Sequence, residues 1–520
     1  MKREQFWQQP NQSFDLIIVG GGITGVGILR EATRAGLRAV LLEARDFAWG
    51  TSSRSSKLVH GGLRYLAQGQ VRVTRDSVIE RQHLLHEGAG LIEPLGFVIA
   101  GTNKTRATVL KYRAGLALYD ALAHQWQHSA FGKQQLQRYA PHINDEFVEG
   151  LRYIDAQTDD ARLVLRVLYE AIAAGATALN YAPVTGLIRE NEAVVGVKVR
   201  DQMTETEHEL RATVVINATG AWVDKLRGDV GAPPKMRPLR GSHLVFQAWR
   251  VPVAQSVSFA HPVDARPMFI FPWEGVTVIG TTDLDHSDDL NVEPAISAAE
   301  ADYLLQAVQA AFPALKVTFD DVIATWSGVR PVVGTGASDP SKESRDYVVW
   351  NEHGLLTVTG GKLTTFKLIA LDALNTISER FPNVTFDPET RRLDELAVDL
   401  DVPLGEMARQ RLLGRYGAMA QQLVADYHDE LEPIGHTSTL WAELRWAAAH
   451  EAVQHLDDLL LRRTRLGILF PHGAADLFER VRVICHHELG WDDARWQHEV
   501  ARYQAIIAKY YSLPTNVQSA

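Results

Sequence analysis

The chain has 520 residues, which is more than one hydrophobic core usually serves, so we expect two or three domains. A formal net charge of −10 argues against a broad basic surface for nucleic acid, and any anion site must be local. No apolar stretch reaches the roughly 18 residues of a membrane-spanning helix, and the polar N-terminal segment lacks the pattern of a secretory signal. These features predict a cytoplasmic protein.

Cys485 is the only cysteine of the chain. It permits no intramolecular disulfide, which fits a reducing compartment and excludes flavoenzymes that work through an active-site cysteine pair. The histidine spacing predicts no metal site, because His486 and His487 are adjacent and not one helical turn apart.

The first elements of the chain form a predicted βαβ unit. Apolar runs at 14–19 and 37–42 predict two buried strands, and the sequence from 23 to 35 predicts a helix between them. The turn before the helix has the spacing G-x-G-x-x-G. In that motif Gly20 makes the tight turn, Gly22 lets backbone approach a pyrophosphate, and Gly25 lets the helix pack closely. The unit therefore predicts a dinucleotide site.

The second predicted strand ends at Glu43, which would accept hydrogen bonds from ribose hydroxyls and repel a 2′-phosphate, so NADP is disfavoured. The motif alone does not separate NAD from FAD. Buried-strand patterns return at 212–220, with Ala218 and Gly220 at the end, and at 355–361, ending in Gly361. Because a flavin ring needs chain from several places around it, this return favours FAD.

The remaining patterns predict two further units. Short β-rich runs at 242–246, 268–271 and 276–280 predict an antiparallel sheet for substrate, and helix formers dominate from about 393 onward. The predicted fold class is α/β, with a discontinuous Rossmann-type FAD-binding domain, an antiparallel-sheet substrate domain and a helical C-terminal domain. We place these domains at 14–82, 150–235 and 322–388 (FAD-binding), 83–149 and 236–321 (substrate or cap), and 389–520 (helical).

Five segments together resemble the aerobic, FAD-dependent glycerol-3-phosphate dehydrogenase family: residues 51–65, 241–243, 280–283, 327–331 and 361–365. The resemblance covers residues 14 to 370 or so. It implies oxidation of sn-glycerol 3-phosphate to dihydroxyacetone phosphate, with FAD as cofactor, hydride transfer to flavin N5 and a quinone as electron acceptor. It also implies a homodimer and peripheral contact with the inner face of the cell membrane.

The same resemblance implies roles for individual residues. The residues expected at the FAD are Thr51, Ser52, Ser56 and Lys57, with Leu363 and Thr364 closing over the flavin. The residues expected at the substrate are Arg64, Arg330 and Arg345 for the phosphate, with Tyr65 and Lys362 nearby. Thr282 ends a predicted strand, where it could contact the substrate and orient the base or could only form a turn. For Arg330 the residues give a separate reason, since an arginine between Val329 and Pro331 is costly to bury unless it meets an anion.

Alcohol oxidation also needs a base. His60 and His243 are both candidates, because imidazole titrates near neutral pH and both residues lie beside glycine-bearing loops. A structural role fits the sequence around each histidine equally well. Residues 110–119 mix cations, aromatics and apolar residues, as an interfacial membrane helix or an ordinary packed helix would. Two other functions remain open: an amino-acid or amine oxidase of the same fold, and a non-catalytic flavin-binding scaffold.

Overall fold

Two β-sheets and a helical C-terminal region organise the protein. The computed structural model describes residues 3–8, 13–61, 71–123, 128–336, 343, 346–396 and 399–517. The strands in chain order are β1 (Ser13–Val19), β2 (Ala39–Leu42), β3 (Leu58–Val59), β4 (Ile92–Thr102), β5 (Ser129–Gly132), β6 (Phe147–Thr158), β7 (Thr177–Leu179), β8 (Val184–Glu190), β9 (Ala193–Asp201), β10 (Thr206–Asn217), β11 (Met236–Gln247), β12 (Ser256–Ala260), β13 (Pro267–Trp273), β14 (Val276–Gly280), β15 (Leu284–Asp285), β16 (Val322–Val333), β17 (Tyr347–Glu352) and β18 (Leu355–Gly360).

The α-helices of the described residues are numbered in the same way. They are α1 (Arg3–Trp7), α2 (Ile23–Arg34), α3 (Val71–Glu87), α4 (Arg106–Ala123), α5 (Lys133–Tyr139), α6 (Asp160–Ala173), α7 (Val223–Asp229), α8 (Ala298–Ala311), α9 (Phe366–Thr376), α10 (Glu406–Tyr416), α11 (Met419–Asp426), α12 (Trp441–His450), α13 (Leu466–Leu469), α14 (Phe478–Leu489) and α15 (Asp493–Tyr510). A π-helical stretch, Asp458–Arg463, precedes α13.

The first sheet has the strand order β17-β18-β10-β1-β2-β7. Every neighbouring pair from β18 to β7 is parallel, β17 is antiparallel to β18, and β8 and β9 extend β10 as an antiparallel hairpin. Parallel strands linked through helices form the doubly wound nucleotide-binding architecture. The predicted α/β fold class is confirmed, and the FAD-binding unit is discontinuous in sequence as expected.

Alternating side chains of β1 hold the helices on both faces of this sheet. Leu16 and Ile18 belong to the apolar cluster that α2, α6 and α9 complete, whereas Ile17 and Val19 belong to the opposite cluster with Phe6 of α1. Successive side chains of a strand point to opposite faces, so one apolar run serves two cores.

The second sheet has the order β15-β11-β14-β13-β12-β4-β6-β3, with β16 paired to β11 and β5 to β6. Its pairs are antiparallel except for β12 with β4. On one face Leu244 and Ile270 pack with α8; on the other, Trp273 and Trp326 join the cluster of the C-terminal helices. The sheet is therefore covered on both faces.

The strand pairing divides the chain differently from the predicted domain boundaries. β3, β6 and β16 all lie in the second sheet, although the predicted FAD-binding segments 14–82, 150–235 and 322–388 include them. The reason is a long-range register: β16 pairs with β11 from Met236↔Val333 to Phe246↔Val322, and no local pattern reveals that partner. The domain boundaries stay predictions.

The described part of the chain after residue 405 consists of helices and connecting segments, and it packs mainly on the second sheet. Among the described residues, the structure contains no helix with the length and apolar character needed to cross a lipid bilayer.

Candidate active site

Two adjoining cavities, of about 290 and 330 Å³, lie between the two sheets. The first opens at the carboxyl ends of the parallel strands β1, β2, β10 and β18, which is where doubly wound sheets bind ligands. The second lies against β11, β13 and β16. Their shared wall consists of Thr51, Ser55, Pro331, Gly361, Lys362 and Leu363. A long ligand in the first cavity would meet a small one in the second at this wall.

The glycine turn of the first cavity depends on close backbone contacts. Gly20 has a φ of +114°, and a Cβ there would lie 2.5 Å from the Ala218 carbonyl oxygen. A Cβ on Gly25 would lie 1.9 Å from the Gly20 carbonyl oxygen, so only glycine allows α2 to start so close to β1. Gly22 is the N-cap of α2 and lines the cavity, so the N-terminal end of this helix faces a prospective phosphate.

Two polar side chains brace this turn. Glu43, which follows β2, accepts hydrogen bonds from the Gly21 N–H at 2.6 Å and the Arg45 N–H at 2.8 Å, and burial raises the pKa of its carboxyl. The Ser52 hydroxyl oxygen accepts from the Ile23 N–H at 3.0 Å, at the first turn of α2. Both residues line the first cavity.

The remaining walls come from distant parts of the chain. Ala218 and Gly220 follow β10, Gly361 and Leu363 follow β18, and Trp49 and Trp222 supply apolar surface. Together these residues fit a flavin dinucleotide: a helix N-terminus for the pyrophosphate, an acid at a strand end for the ribose, and a glycine-bordered end beside the second cavity.

A buried carboxylate organises the cationic side of the second cavity. Asp283 is buried, and its two oxygens pair with Arg330 at 2.8 Å and with Arg266 at 3.2 Å. Both arginines line the cavity, and their side chains keep 23% exposure. Sequence reasoning missed Arg266, which belongs to none of the matched segments; the only hint was that Asp283 needs a cationic partner.

The two histidines proposed as bases both line the second cavity. His243 is 2% exposed, its Nε2 lies 2.8 Å from the Ser56 hydroxyl, and its ring stacks on Trp326 at 4.7 Å between centroids. Burial, with help from the charges of Lys57 and Arg330, holds the pKa of His243 well below its ordinary value near 6.5. A neutral imidazole at neutral pH is able to accept a proton.

Three further predicted residues lie on these walls. Lys362 lines both cavities, and its ammonium donates to the Ser77 hydroxyl of α3 at 2.9 Å. Thr51 also lines both cavities, and its hydroxyl donates to the Val329 carbonyl oxygen at 2.5 Å. Ser56 and Thr364, which were predicted at the cofactor, line the second cavity.

Two of the predicted side chains are held by buried carboxylates and do not line the cavities, and their roles stay predictions. The Lys57 ammonium donates to the Ser53 carbonyl oxygen at 2.6 Å and to Asp160 at 2.8 Å, behind the cavities. The Thr282 hydroxyl donates to Glu300 at 2.7 Å, away from both cavities. In each case a buried carboxylate distant in sequence captures the side chain. Arg64, Tyr65 and Arg345 lie outside the described residues, and their roles stay predictions.

Comparison with known proteins places this architecture in a family. Residues 15–367 match the model of the FAD dependent oxidoreductases, and residues 387–496 match the C-terminal domain of alpha-glycerophosphate oxidase. Aerobic glycerol-3-phosphate dehydrogenase of Staphylococcus aureus strain USA300 is 34% identical over 489 residues, 87% of each chain. The chain belongs to the aerobic glycerol-3-phosphate dehydrogenase family. Its cofactor is FAD, as the resemblance implied.

Solved structures agree with this family. The glycerol-3-phosphate dehydrogenase from Bacillus halodurans, complexed with FAD, is 27% identical, with a TM-score of 0.75 and coverage of 96% of both chains. L-alpha-glycerophosphate oxidase from Mycoplasma pneumoniae, with FAD bound, has a TM-score of 0.59 at 17% identity, over 75% of this chain and all of the other. L-proline dehydrogenase from P. horikoshii has a TM-score of 0.56 at 16% identity, over 73% of this chain and 96% of the other. The last two show the shared fold.

The environment of His243 leads to a pH prediction. Because burial holds the pKa of His243 well below 6.5, the ring should stay neutral at pH 6.5, whereas a histidine in the unfolded chain takes up a proton near that pH. This residue therefore makes folding less favourable as pH falls below that value. NMR of histidine-labelled holoenzyme, assigned with His243→Gln, should show no protonation of this ring at pH 6.5. A midpoint at or above 6.5 would contradict the burial argument.

Proposed function

We propose that the enzyme oxidises sn-glycerol 3-phosphate to dihydroxyacetone phosphate at the wall between the two cavities and passes the electrons to a quinone. The observation that supports this proposal most directly is that Arg330 and Arg266 both pair with Asp283. The two arginines line the second cavity, which adjoins the nucleotide cavity. A phosphate monoester is the natural ligand for paired guanidinium groups. The names of the Staphylococcus aureus and Bacillus halodurans relatives support the same substrate.

The phosphate end of the substrate would bind Arg330 and Arg266. Asp283 neutralises part of their charge and fixes both side chains before the substrate arrives, so less conformational entropy is lost on binding. Arg64 and Arg345, with Tyr65, are proposed to complete this end. The net charge of the chain is negative, so the proposed anion site would have to be local.

The reacting end would lie beside Lys362. A base removes the hydroxyl proton while the carbon-bound hydrogen leaves with its electron pair, and the carbinol becomes a ketone. FAD supplies the acceptor for that hydride at N5. His243 and His60 are the candidate bases, and Ser56 orients His243 through the 2.8 Å contact. Lys362, tied to Ser77, would hold positive charge close to the developing oxyanion.

Binding of FAD is assigned to the first cavity. Gly20, Gly22 and Gly25 would shape the pyrophosphate turn, and Glu43 would meet the ribose. The other proposed contacts are Thr51, Ser52, Ala218, Gly220, Gly361 and Leu363. These six residues line the cavity from three separate segments of the chain, as an extended cofactor requires.

Flavin reduction tests the proposed reaction. Purified holoenzyme mixed anaerobically with glycerol 3-phosphate should lose its visible flavin absorption, because the substrate supplies a hydride pair. The fold is shared with glycine oxidase from Bacillus cereus, so glycine and proline are the comparison substrates. Bleaching by an amino acid and not by glycerol 3-phosphate would replace the proposal with an amino-acid oxidase. No bleaching by any of them would indicate a flavin-binding scaffold.

Removal of one guanidinium tests the phosphate anchor. Arg330→Gln should lower kcat/KM for glycerol 3-phosphate by roughly 10- to 150-fold, since a charged hydrogen bond contributes about 1.5–3 kcal/mol, while FAD content stays normal. Arg237→Gln is the control, because Arg237 pairs with Asp285 and Glu343 and lines neither cavity. Equal kinetics for Arg330→Gln and wild type would remove Arg330 from the site.

Peripheral membrane contact and the quinone acceptor are proposed together, with α4 as the contacting helix. Leu110 and Leu118 lie eight residues apart on α4 and are 67% and 49% exposed, and Lys111 between them is also exposed. Exposed apolar residues beside cations suit the lipid interface of the cytoplasmic membrane face. The homodimer implied by the family stays a prediction.

Vesicle binding tests this contact. The double variant Leu110→Glu/Leu118→Glu should bind vesicles of anionic lipid at least about tenfold more weakly, since each leucine contributes about 1.5–3 kcal/mol when buried. Met407→Glu is the control, because Met407 of α10 is 85% exposed and lies on another helix. Cosedimentation measures both. Equal loss in the control, or no loss in the double variant, would rule out α4 as the contact.

A further inference from the structure

The segment 51–57, here called the flavin loop, forms walls of both cavities. Thr51 and Ser55 line both, Ser52 lines the first, and Ser56 lines the second. Its inner side is therefore exposed to the cofactor. Its outer side is held by groups from α6 and from the C-terminal helical region.

Asp160, at the start of α6, is the centre of those contacts. Its carboxylate is fully buried and accepts hydrogen bonds from the Ser55 N–H at 2.9 Å and the Ser55 hydroxyl at 2.7 Å. It also pairs with Lys57 at 2.8 Å and with Arg465 at 3.1 Å. A buried carboxylate needs such partners, since an unpaired one strongly destabilises a fold.

Arg465 reaches this centre from the turn before α13. Its Nη2 donates to the Ser53 carbonyl oxygen at 2.6 Å as well as to Asp160, and its Nη1 donates to the Leu461 carbonyl oxygen at 2.6 Å. The Lys57 ammonium shares the Ser53 oxygen as acceptor. The guanidinium thus links one backbone oxygen of the flavin loop directly to the C-terminal region.

A second contact from the same region lies nearby. The Arg54 guanidinium, which pairs with Glu293, also donates to the Tyr511 hydroxyl at 3.2 Å, and Tyr511 follows α15. Arg54 lines the second cavity. The loop therefore receives support at Ser53 and at Arg54 from two separate C-terminal elements.

We propose that the C-terminal region is part of the flavin site, and that Arg465 is a positioning residue that holds the flavin loop against the cofactor. Arg465 lines neither cavity, so its effect passes through the groups it contacts, which include Ser53, Asp160 and Asp159. With Arg465 removed, Asp160 keeps Lys57 alone as a cationic partner, and the Ser53 oxygen loses its guanidinium donor. The loop should then open more often and release FAD faster. This inference concerns the cofactor and does not depend on the substrate.

The test compares FAD release from three holoenzymes. Arg465→Gln should release FAD about tenfold faster than wild type, followed by the rise of flavin fluorescence after dilution. Arg411→Gln is the matched control: Arg411 is also buried, lies in the C-terminal region and pairs with Glu443, but has no contact with the flavin loop. Both variants are expected to melt at lower temperature, and only Arg465→Gln should release FAD faster.

Hydrogen exchange provides a readout that a general loss of stability would not reproduce. Amides of residues 51–57 should exchange faster in Arg465→Gln and stay at the wild-type rate in Arg411→Gln. Arg465→Lys keeps the charge with one donor nitrogen and should give an intermediate release rate. In wild type itself, the Ser55 amide should open together with amides of 461–466. The proposal would be overturned if Arg465→Gln released FAD at the wild-type rate, or if both glutamine variants released it at the same rate. It would also be overturned if the two segments opened independently in the wild-type protein.

Discussion

The antiparallel pairing of β11 with β16 is the constraint on which the site depends. It fixes Arg330 opposite Leu239 in the second sheet, and it carries Pro331 to the wall that the two cavities share. The chain returns from β16 to the first sheet through β17 and β18, and β18 ends at the glycines that border the nucleotide cavity. A shift of this register by one residue would turn Arg330 to the other face of the sheet. One pairing thus sets the position of Arg330 relative to the nucleotide cavity.

Local sequence was sufficient where local geometry decides the structure. Residue spacing predicts the glycine turn before α2, the strand that precedes Glu43 and the walls after β10 and β18. At Gly25, for example, a Cβ would lie 1.9 Å from the Gly20 carbonyl oxygen, so only glycine fits there. Composition predicts the helical region after residue 405, because helix-forming residues dominate that part of the sequence. In each of these elements, the residues that determine the structure lie within or next to the element itself.

Side-chain direction and sheet membership could not be predicted in this way. Lys57 and Thr282 stand beside residues that do line a cavity, yet each is drawn inward by Asp160 or Glu300, far away in sequence. Arg266 was missed because its partner Asp283 lies seventeen positions later on another segment. The sheet membership of the strands near 150 and 322 was not predicted, because strand partners are chosen by long-range pairing. Partners that are distant in sequence decide these side-chain directions and strand pairings, and a single sequence does not show which partners meet.

The sharing of Asp283 between two arginines also bears on turnover. The Asp283 carboxylate lies between the guanidinium groups of Arg330 and Arg266, so it offsets part of the positive charge that these two side chains bring to the second cavity. In the proposed reaction the alcohol and the ketone carry the same phosphate, so this proposed anchor would bind both with similar strength and would contribute to uniform binding rather than to the chemical step. A fully cationic anchor would hold the ketone longer and slow its departure. In the proposed site the carboxylate would thereby moderate product inhibition, and inorganic phosphate would compete for the same position.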